Sequence, residues 1–194
     1  MTLALLCSGQ GNQHPDMFAL TADAPEAADV FAAAARGLDG RDPRDLVRDP
    51  SVAIDGNAIG QILCCTQALA AFAALKPKLG HRLIVAGYSV GELASWGCAG
   101  SLAPDVVLDL AAKRAAAMDA AGGRDDGLAY IRGLERAAVD ALCTKHGVAV
   151  AIVNPDDLLV IGGAREALEA ACACLLYTSP SPRDRTRSRM PSSA

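Results

Sequence analysis

The chain has 194 residues, 52% of them hydrophobic and 21% charged, with a formal net charge of −4. So high an apolar fraction at so small a net charge excludes whole-chain disorder, and no recurring period marks a repeat array, coiled coil or collagen. A pI near 5.3 leaves no basic footprint for nucleic acid, and the uninterrupted apolar runs fall short of the roughly 18 residues that span a bilayer, so neither nucleic acid nor membrane is expected as a partner.

The opening Met-Thr-Leu-Ala-Leu-Leu-Cys lacks a basic n-region and is broken at once by Ser8-Gly9-Gln10-Gly11. It reads as a buried first strand over 3–7 rather than as a signal peptide. A Gly-rich loop over 8–13 follows, then an Ala-rich helix at about 25–37 with Pro25 in its first turn. Residues 38–50 are turn-rich and charged and read as surface. A helix is predicted from about 58 to 75, a strand at 82–87, a sharp turn, and a helix at 89–98. Pro104 opens another helix reaching about 120, ended by Gly122-Gly123. Strands alternating with helices of this length predict an α/β fold built on a mainly parallel sheet.

From Gly127 the pattern changes to a strand at 128–134, a helix at 135–146, strands at 147–153 and 158–161 about an Asn154-Pro155-Asp156-Asp157 turn, and a helix at 164–174. That order is β-α-β-β-α, five of the six elements of a ferredoxin-like unit, and predicts a sixth element, a strand, near residue 175. Instead residues 176–194 are mostly Ser, Pro and Arg, with four arginines against one aspartate. They read as a basic tail or as residues foreign to the protein, and the half-built unit they interrupt favours the second. The expected organisation is an α/β subdomain over 1–124, a ferredoxin-like subdomain over 125–175 and the tail over 176–194, both folded parts incomplete. Seven cysteines, at 7, 64, 65, 98, 143, 172 and 174, are scattered through these elements. No His or Cys pair stands at ligand spacing beside them, so no metal site is expected, and free thiols in a reducing cytoplasm fit better than a disulfide framework.

Three places carry chemistry. Gly87-Tyr88-Ser89-Val90-Gly91 is a GxSxG elbow between an apolar strand and a helix, the context in which a sharp turn presents a nucleophilic Ser. Ser89 is the candidate nucleophile, and the Val90 N–H, at the helix start, the candidate donor to an oxyanion. The loop Ser8-Gly9-Gln10-Gly11-Asn12-Gln13 lies at the carboxyl end of strand one, where α/β sheets place their sites, and offers the Gln10 N–H as a second donor. On the 104–120 helix, Val107, Leu110, Ala111, Ala117 and Met118 form an apolar stripe in which Arg114 falls. A guanidinium directed into a core is costly unless it meets an anion, so Arg114 reads as a structural ion pair or as a clamp for a substrate carboxylate.

Gly9-Gln10-Gly11-Asn12-Gln13, Gly87-Tyr88-Ser89-Val90-Gly91-Glu92 and Arg114, 25 residues beyond the Ser, resemble the malonyl-CoA:acyl-carrier-protein acyltransferases over residues 2–175. The resemblance implies an α/β-hydrolase-like parallel sheet with an inserted ferredoxin-like subdomain. It also implies transfer of malonyl from malonyl-CoA to an acyl carrier protein thiol through a malonyl-serine intermediate, with no bound cofactor and the CoA thioester as substrate. Gln61 stands where the family has a pocket glutamine, Arg114 where it has the carboxylate-binding arginine, and Asn154 in the inserted subdomain; with Gly9 and Gly11 these are the implied substrate-binding residues. Tyr88 in place of the family's usual His, Ser8 in place of Pro, and Asn154-Pro155-Asp156-Asp157 look most like the epsilon subunits of malonate decarboxylase, which implies further subunits of that complex as partners.

The family's general base is a His beyond the ferredoxin-like insertion. His14, His81 and His146 are the histidines here, and of these only His14 neighbours the loop. The chain is therefore expected to be nearly inactive as written. A transacylase of fatty acid or polyketide synthesis, a serine hydrolase and a non-catalytic carrier-protein-binding module are the alternatives.

Overall fold

Two apolar runs set the frame. Leu3–Cys7 (β1) and Leu83–Gly87 (β2) pair in parallel, with Leu3 opposite Leu83 and Cys7 opposite Gly87. The computed structural model describes residues 2–80, 82–123, 125–155 and 157–178, with side chains as far as 175. The tail beyond 178 and His81 lie outside the described residues. The chain divides into two units, one covering Met1–Ala120 and the other beginning at Ala121.

In the first unit a 3₁₀ turn at Pro25–Ala27 leads into α1 (Ala28–Arg36), followed by α2 (Pro43–Leu46), α3 (Asn57–Leu75), α4 (Gly91–Cys98) and α5 (Pro104–Ala121). α4 packs on both strands and on α3, and α1 packs on α3. Side chains alternate across a strand, so Leu5, Cys7 and Val85 join this helical core while Leu6 and Ile84 point the other way and are 77% and 62% exposed. Strands apolar on both faces are the mark of a parallel sheet built to be covered on both sides. By length and mean hydropathy Asn57–Lys78 would suffice to cross a membrane, although Gln61, Thr66 and Gln67 interrupt its apolar runs. In this fold it is the central helix, burying Ile62, Leu63, Cys65 and Leu69 against its neighbours.

Residues 38–50 are not simply surface. Asp42 caps α2, accepting from the Arg44 N–H at 2.8 Å, and the segment buries Leu38, Leu46 and Val47. Arg44 donates to Asp42 and to the Ala22 carbonyl, and its guanidinium lies 4.6 Å from the Phe31 ring centroid. This ion pair holds the Asp42 carboxyl below its usual range. Phe31 also meets Phe18 edge-to-face at 5.4 Å. Three apolar side chains spaced among turn residues were enough to anchor a loop whose composition reads as solvated.

The second unit holds β3 (Asp126–Arg132), α6 (Arg136–His146), β4 (Ala149–Asn154), β5 (Leu158–Ala164) and α7 (Arg165–Thr178). The strands form an antiparallel sheet in the order β3-β5-β4, the spatial order of the first three strands of a ferredoxin-like unit. Ala129, Ile131, Leu159 and Ile161 pack with Val139, Leu142, Leu168 and Ala171 of the two helices. Gly147 ends α6 in the left-handed region at φ 69°, so β4 begins two residues later than the apolar pattern predicts. Among the described residues no strand follows α7, which continues through Thr178 past the position expected for it near residue 175, because nothing in Cys172–Leu175 breaks a helix.

Phe31 carries the joint between α1 and the 38–50 segment. Phe31→Ala is expected to lower the stability of the first unit by about 3–5 kcal/mol, and Arg44→Ala by about 1 kcal/mol through the lost cation–π contact, both read from urea midpoints.

Candidate active site

The elbow is built by backbone contact. The Tyr88 N–H donates to the Cys7 carbonyl at 3.0 Å, tying the turn after β2 to the end of β1, and the Gly91 N–H closes back on Tyr88. A Cβ on Gly87 would lie 2.1 Å from the Gly91 carbonyl oxygen, and one on Gly91 would lie 2.3 Å from the Cys7 carbonyl oxygen. Only glycine fits at either place. Ser89 between them is held at φ 54°, a left-handed conformation that costs a non-glycine residue free energy. Helix α4 therefore starts at Gly91, with Val90 as its N-cap, rather than at residue 89.

The Gly-rich loop is fastened beside the elbow. Gln10 Nε2 donates to the Asp55 carbonyl at 2.8 Å and Gln13 Nε2 to the Ile54 carbonyl at 3.3 Å, while the Gly11 N–H donates to Gln13 Oε1 at 2.7 Å. Gly9 faces Tyr88 and Ser89 closely enough that an added Cβ would meet Ser89 Cβ at 3.3 Å. Among the described residues neither the Gln10 N–H nor the Val90 N–H donates to a protein acceptor.

Arg114 reaches the elbow from α5. Its Nη2 donates to Ser89 Oγ at 3.3 Å and its Nη1 to Gln61 Oε1 at 2.7 Å. Gln61 is fully buried on α3. Among the described residues Arg114 pairs with no carboxylate, so the structural ion pair is not made. The apolar stripe differs from the predicted one. α5 buries Val107, Leu108, Ala111 and Ala115, while Leu110 and Met118 are 36% and 42% exposed. Arg114 flanks the buried stripe beside Ala115 and is half-buried.

Ser89, Gln10, Val90, Gly9, Gly11, Gln61 and Arg114 thus belong to one unit. Asn154 belongs to the other, where it ends β4 opposite Leu158. His14 is exposed and accepts from the Asp16 N–H, and His146 is the last residue of α6, its buried Nε2 without a hydrogen-bond partner among the described residues. Neither hydrogen-bonds Ser89. Two thiols lie under the elbow: Cys64 Sγ is 3.8 Å from the Gly9 carbonyl and Cys65 Sγ 3.6 Å from that of Val90. Burial pushes Cys64 up to about 11 and, with the neighbouring thiols Cys64 and Cys7 adding to burial, Cys65 up to about 12. Both are protonated near neutral pH and shielded by burial. The sequence placed Met118 only in the apolar stripe and did not single out Asn57, which like Met118 meets Gln61, or Asp119, which meets Asn57. Only the i, i+4 spacing of Asn57 and Gln61 signalled any of them.

No protein-family model matches the chain. The malonyl CoA-acyl carrier protein transacylase of Mycobacterium tuberculosis is 33% identical over 175 residues, covering 86% of this chain and 57% of that protein. A crystal structure of an acyl-carrier-protein S-malonyltransferase from Burkholderia pseudomallei superposes with a TM-score of 0.81 at 29% identity, over 98% of this chain and 64% of that one. A malonyl-transacylase in complex with a type II polyketide synthase acyl carrier protein matches with a TM-score of 0.81 at 26% identity, over all of this chain and 63% of that one. The chain has the fold of these enzymes over its described residues and spans less than two thirds of their length.

The strain at Ser89 is measurable. Ser89→Gly is expected to be about 1–2 kcal/mol more stable than Ser89→Ala, since both lose the hydroxyl and only glycine relieves the positive φ. Equal denaturation midpoints for the two variants would remove the strain from this account.

Proposed function

We propose that the protein transfers a malonyl group from malonyl-CoA to the thiol of an acyl carrier protein through a malonyl ester on Ser89. The observation that carries this reading is Arg114, a guanidinium with no carboxylate of its own among the described residues, held 3.3 Å from the elbow hydroxyl. A hydrolase of neutral esters has no use for such a cation, whereas an acyl group that ends in a carboxylate matches it.

Ser89 Oγ attacks the thioester carbonyl carbon, the carbon–oxygen bond forms and the carbon–sulfur bond breaks. The CoA thiolate leaves and takes up a proton. The N–H groups of Gln10 and Val90 stabilise the oxyanion, and Arg114 grips the distal carboxylate, giving up its contact with Oγ to do so. Attack by the carrier thiol on the ester then restores Ser89. Gln61 supports Arg114 from behind, and Gly9 and Gly11 shape the loop that carries Gln10. The similarity to transacylases named for malonyl-CoA and acyl carrier protein supports the reading.

Within it, we assign the donor and carrier to malonate decarboxylation, with the chain as the epsilon subunit of that complex. Tyr88 before the nucleophile, Ser8 before the Gly-rich loop and Asn154 with its Pro-Asp-Asp turn support this. The names of the relatives favour the second reading, a carrier-protein transacylase of fatty acid or polyketide synthesis. Among the described residues the hydrogen-bond partner of Ser89 Oγ is Arg114, and His14 and His146 do not reach it.

Labelled malonyl-CoA is expected to modify Ser89 alone, and Ser89→Ala to abolish the label. Arg114→Ala should cut the preference for malonyl-CoA over acetyl-CoA by about ten- to hundredfold. Selectivity untouched by that change would end the carboxylate-clamp assignment. Faster transfer to a malonate decarboxylase carrier protein than to a fatty acid synthesis carrier would separate the two readings.

A further inference from the structure

The hydrogen bonds do not stop at the guanidinium. Arg114 Nη1 donates to Gln61 Oε1 at 2.7 Å, Gln61 Nε2 faces Asn57 Oδ1 at 3.4 Å and Met118 Sδ at 3.3 Å, and Asn57 Nδ2 donates to Asp119 Oδ1 at 2.7 Å. Every link has a direction fixed by chemistry. A carboxylate only accepts and a guanidinium only donates. Asp119 therefore turns the Asn57 amide nitrogen towards itself, which leaves Asn57 Oδ1 for the nitrogen of Gln61, which in turn leaves Gln61 Oε1 for Arg114. Reversing either amide sets donor against donor. Gln61 is fully buried, so a reversed amide there has no water to repair the mismatch.

We propose that Asp119 and Asn57 are positioning residues that fix the orientation of Gln61 and, through it, aim Arg114, so that they set selectivity for an acyl group bearing a carboxylate. The inference rests on the reading of Arg114 as the carboxylate clamp. Asp119 sits in the last turn of α5, where the helix dipole disfavours an acid, yet it meets Asn57 at the first residue of α3, where the dipole favours one. That second effect alone would make the pair a staple between two helices, contributing to stability and nothing else, and the test has to separate the two roles.

The test is single-turnover acylation of Ser89 by malonyl-CoA and by acetyl-CoA, followed by intact-protein mass, with urea midpoints measured alongside. Asp119→Asn frees the Asn57 amide to turn either way, and Asn57→Leu removes the acceptor that orients the Gln61 amide. Each is expected to lower the malonyl-to-acetyl rate ratio by about five- to tenfold, the scale of one misdirected hydrogen bond to a charged group. The double variant Asn57→Asp/Asp119→Asn restores the direction of every link, because a carboxylate at 57 accepts both from the new amide at 119 and from Gln61. It also moves the charge to the favoured end of α3. Its ratio should return to within about twofold of the original and its stability should be no lower. Midpoints that shift while the ratio holds, or a double variant as unselective as the singles, would overturn the proposal. Arg114→Ala keeps the two claims apart. If it loses malonyl preference and the relay variants do not, only the relay fails. If the unsubstituted chain shows no malonyl preference, the clamp fails and the relay with it.

Discussion

Everything at this site depends on how closely two backbones approach. The end of β2 and the start of α4 lie against the last residue of β1, so that a single Cβ on Gly91 would come within 2.3 Å of the Cys7 carbonyl oxygen. The hydrogen bond from the Tyr88 N–H to that same carbonyl locks the contact. The strained Ser89 is the geometrical result: with both flanking glycines pressed on backbone atoms, the turn has no relaxed alternative. The Gly-rich loop leaves β1 at this spot, so its N–H groups and the hydroxyl emerge side by side because the strands that carry them are paired neighbours.

Helices fasten this arrangement from beneath. The Gln10 and Gln13 amides bond to the carbonyls of Asp55 and Ile54, just ahead of α3, and α3 also supplies Gln61. Loop, elbow and arginine therefore refer to one helix, and a shift of α3 would move all three together. The buried thiols Cys64 and Cys65 fill the space beneath as small apolar groups. Their raised pKa values follow from burial, which is a consequence of packing rather than preparation for chemistry.

Much of this was legible in the residues. Gly87 to Gly91 between an apolar strand and a helix specifies the elbow because the steric demand is local, and the β1 and β2 runs specify parallel strands because they are apolar without alternation. Arg114 was singled out by an argument that proved inexact. In an Ala-rich helix the apolar stripe is poorly marked, and Leu110 and Met118 drew it towards a face that the fold leaves open. The guanidinium reaches Ser89 from the flank of the stripe instead. Leu38, Leu46 and Val47 were hidden by the turn residues around them, since composition averages over side chains that packing treats singly. The Asn57–Asp119 bond was out of reach for another reason: it joins residues 62 apart in sequence, and only the fold brings them together.

The uncovered sheet face bears on how firmly the elbow is held. Leu6 and Ile84, one residue before Cys7 and three before Gly87, stand largely open to solvent, so the platform under Ser89 is clad on its helical side only among the described residues. Stability within a protein is local, and a two-strand ladder with one wet face is where water will first intrude. Amide protons of β1 and β2 should therefore trade with solvent sooner than those of α3, and the turn at Ser89 will inherit the breathing of the thinnest part of its own foundation.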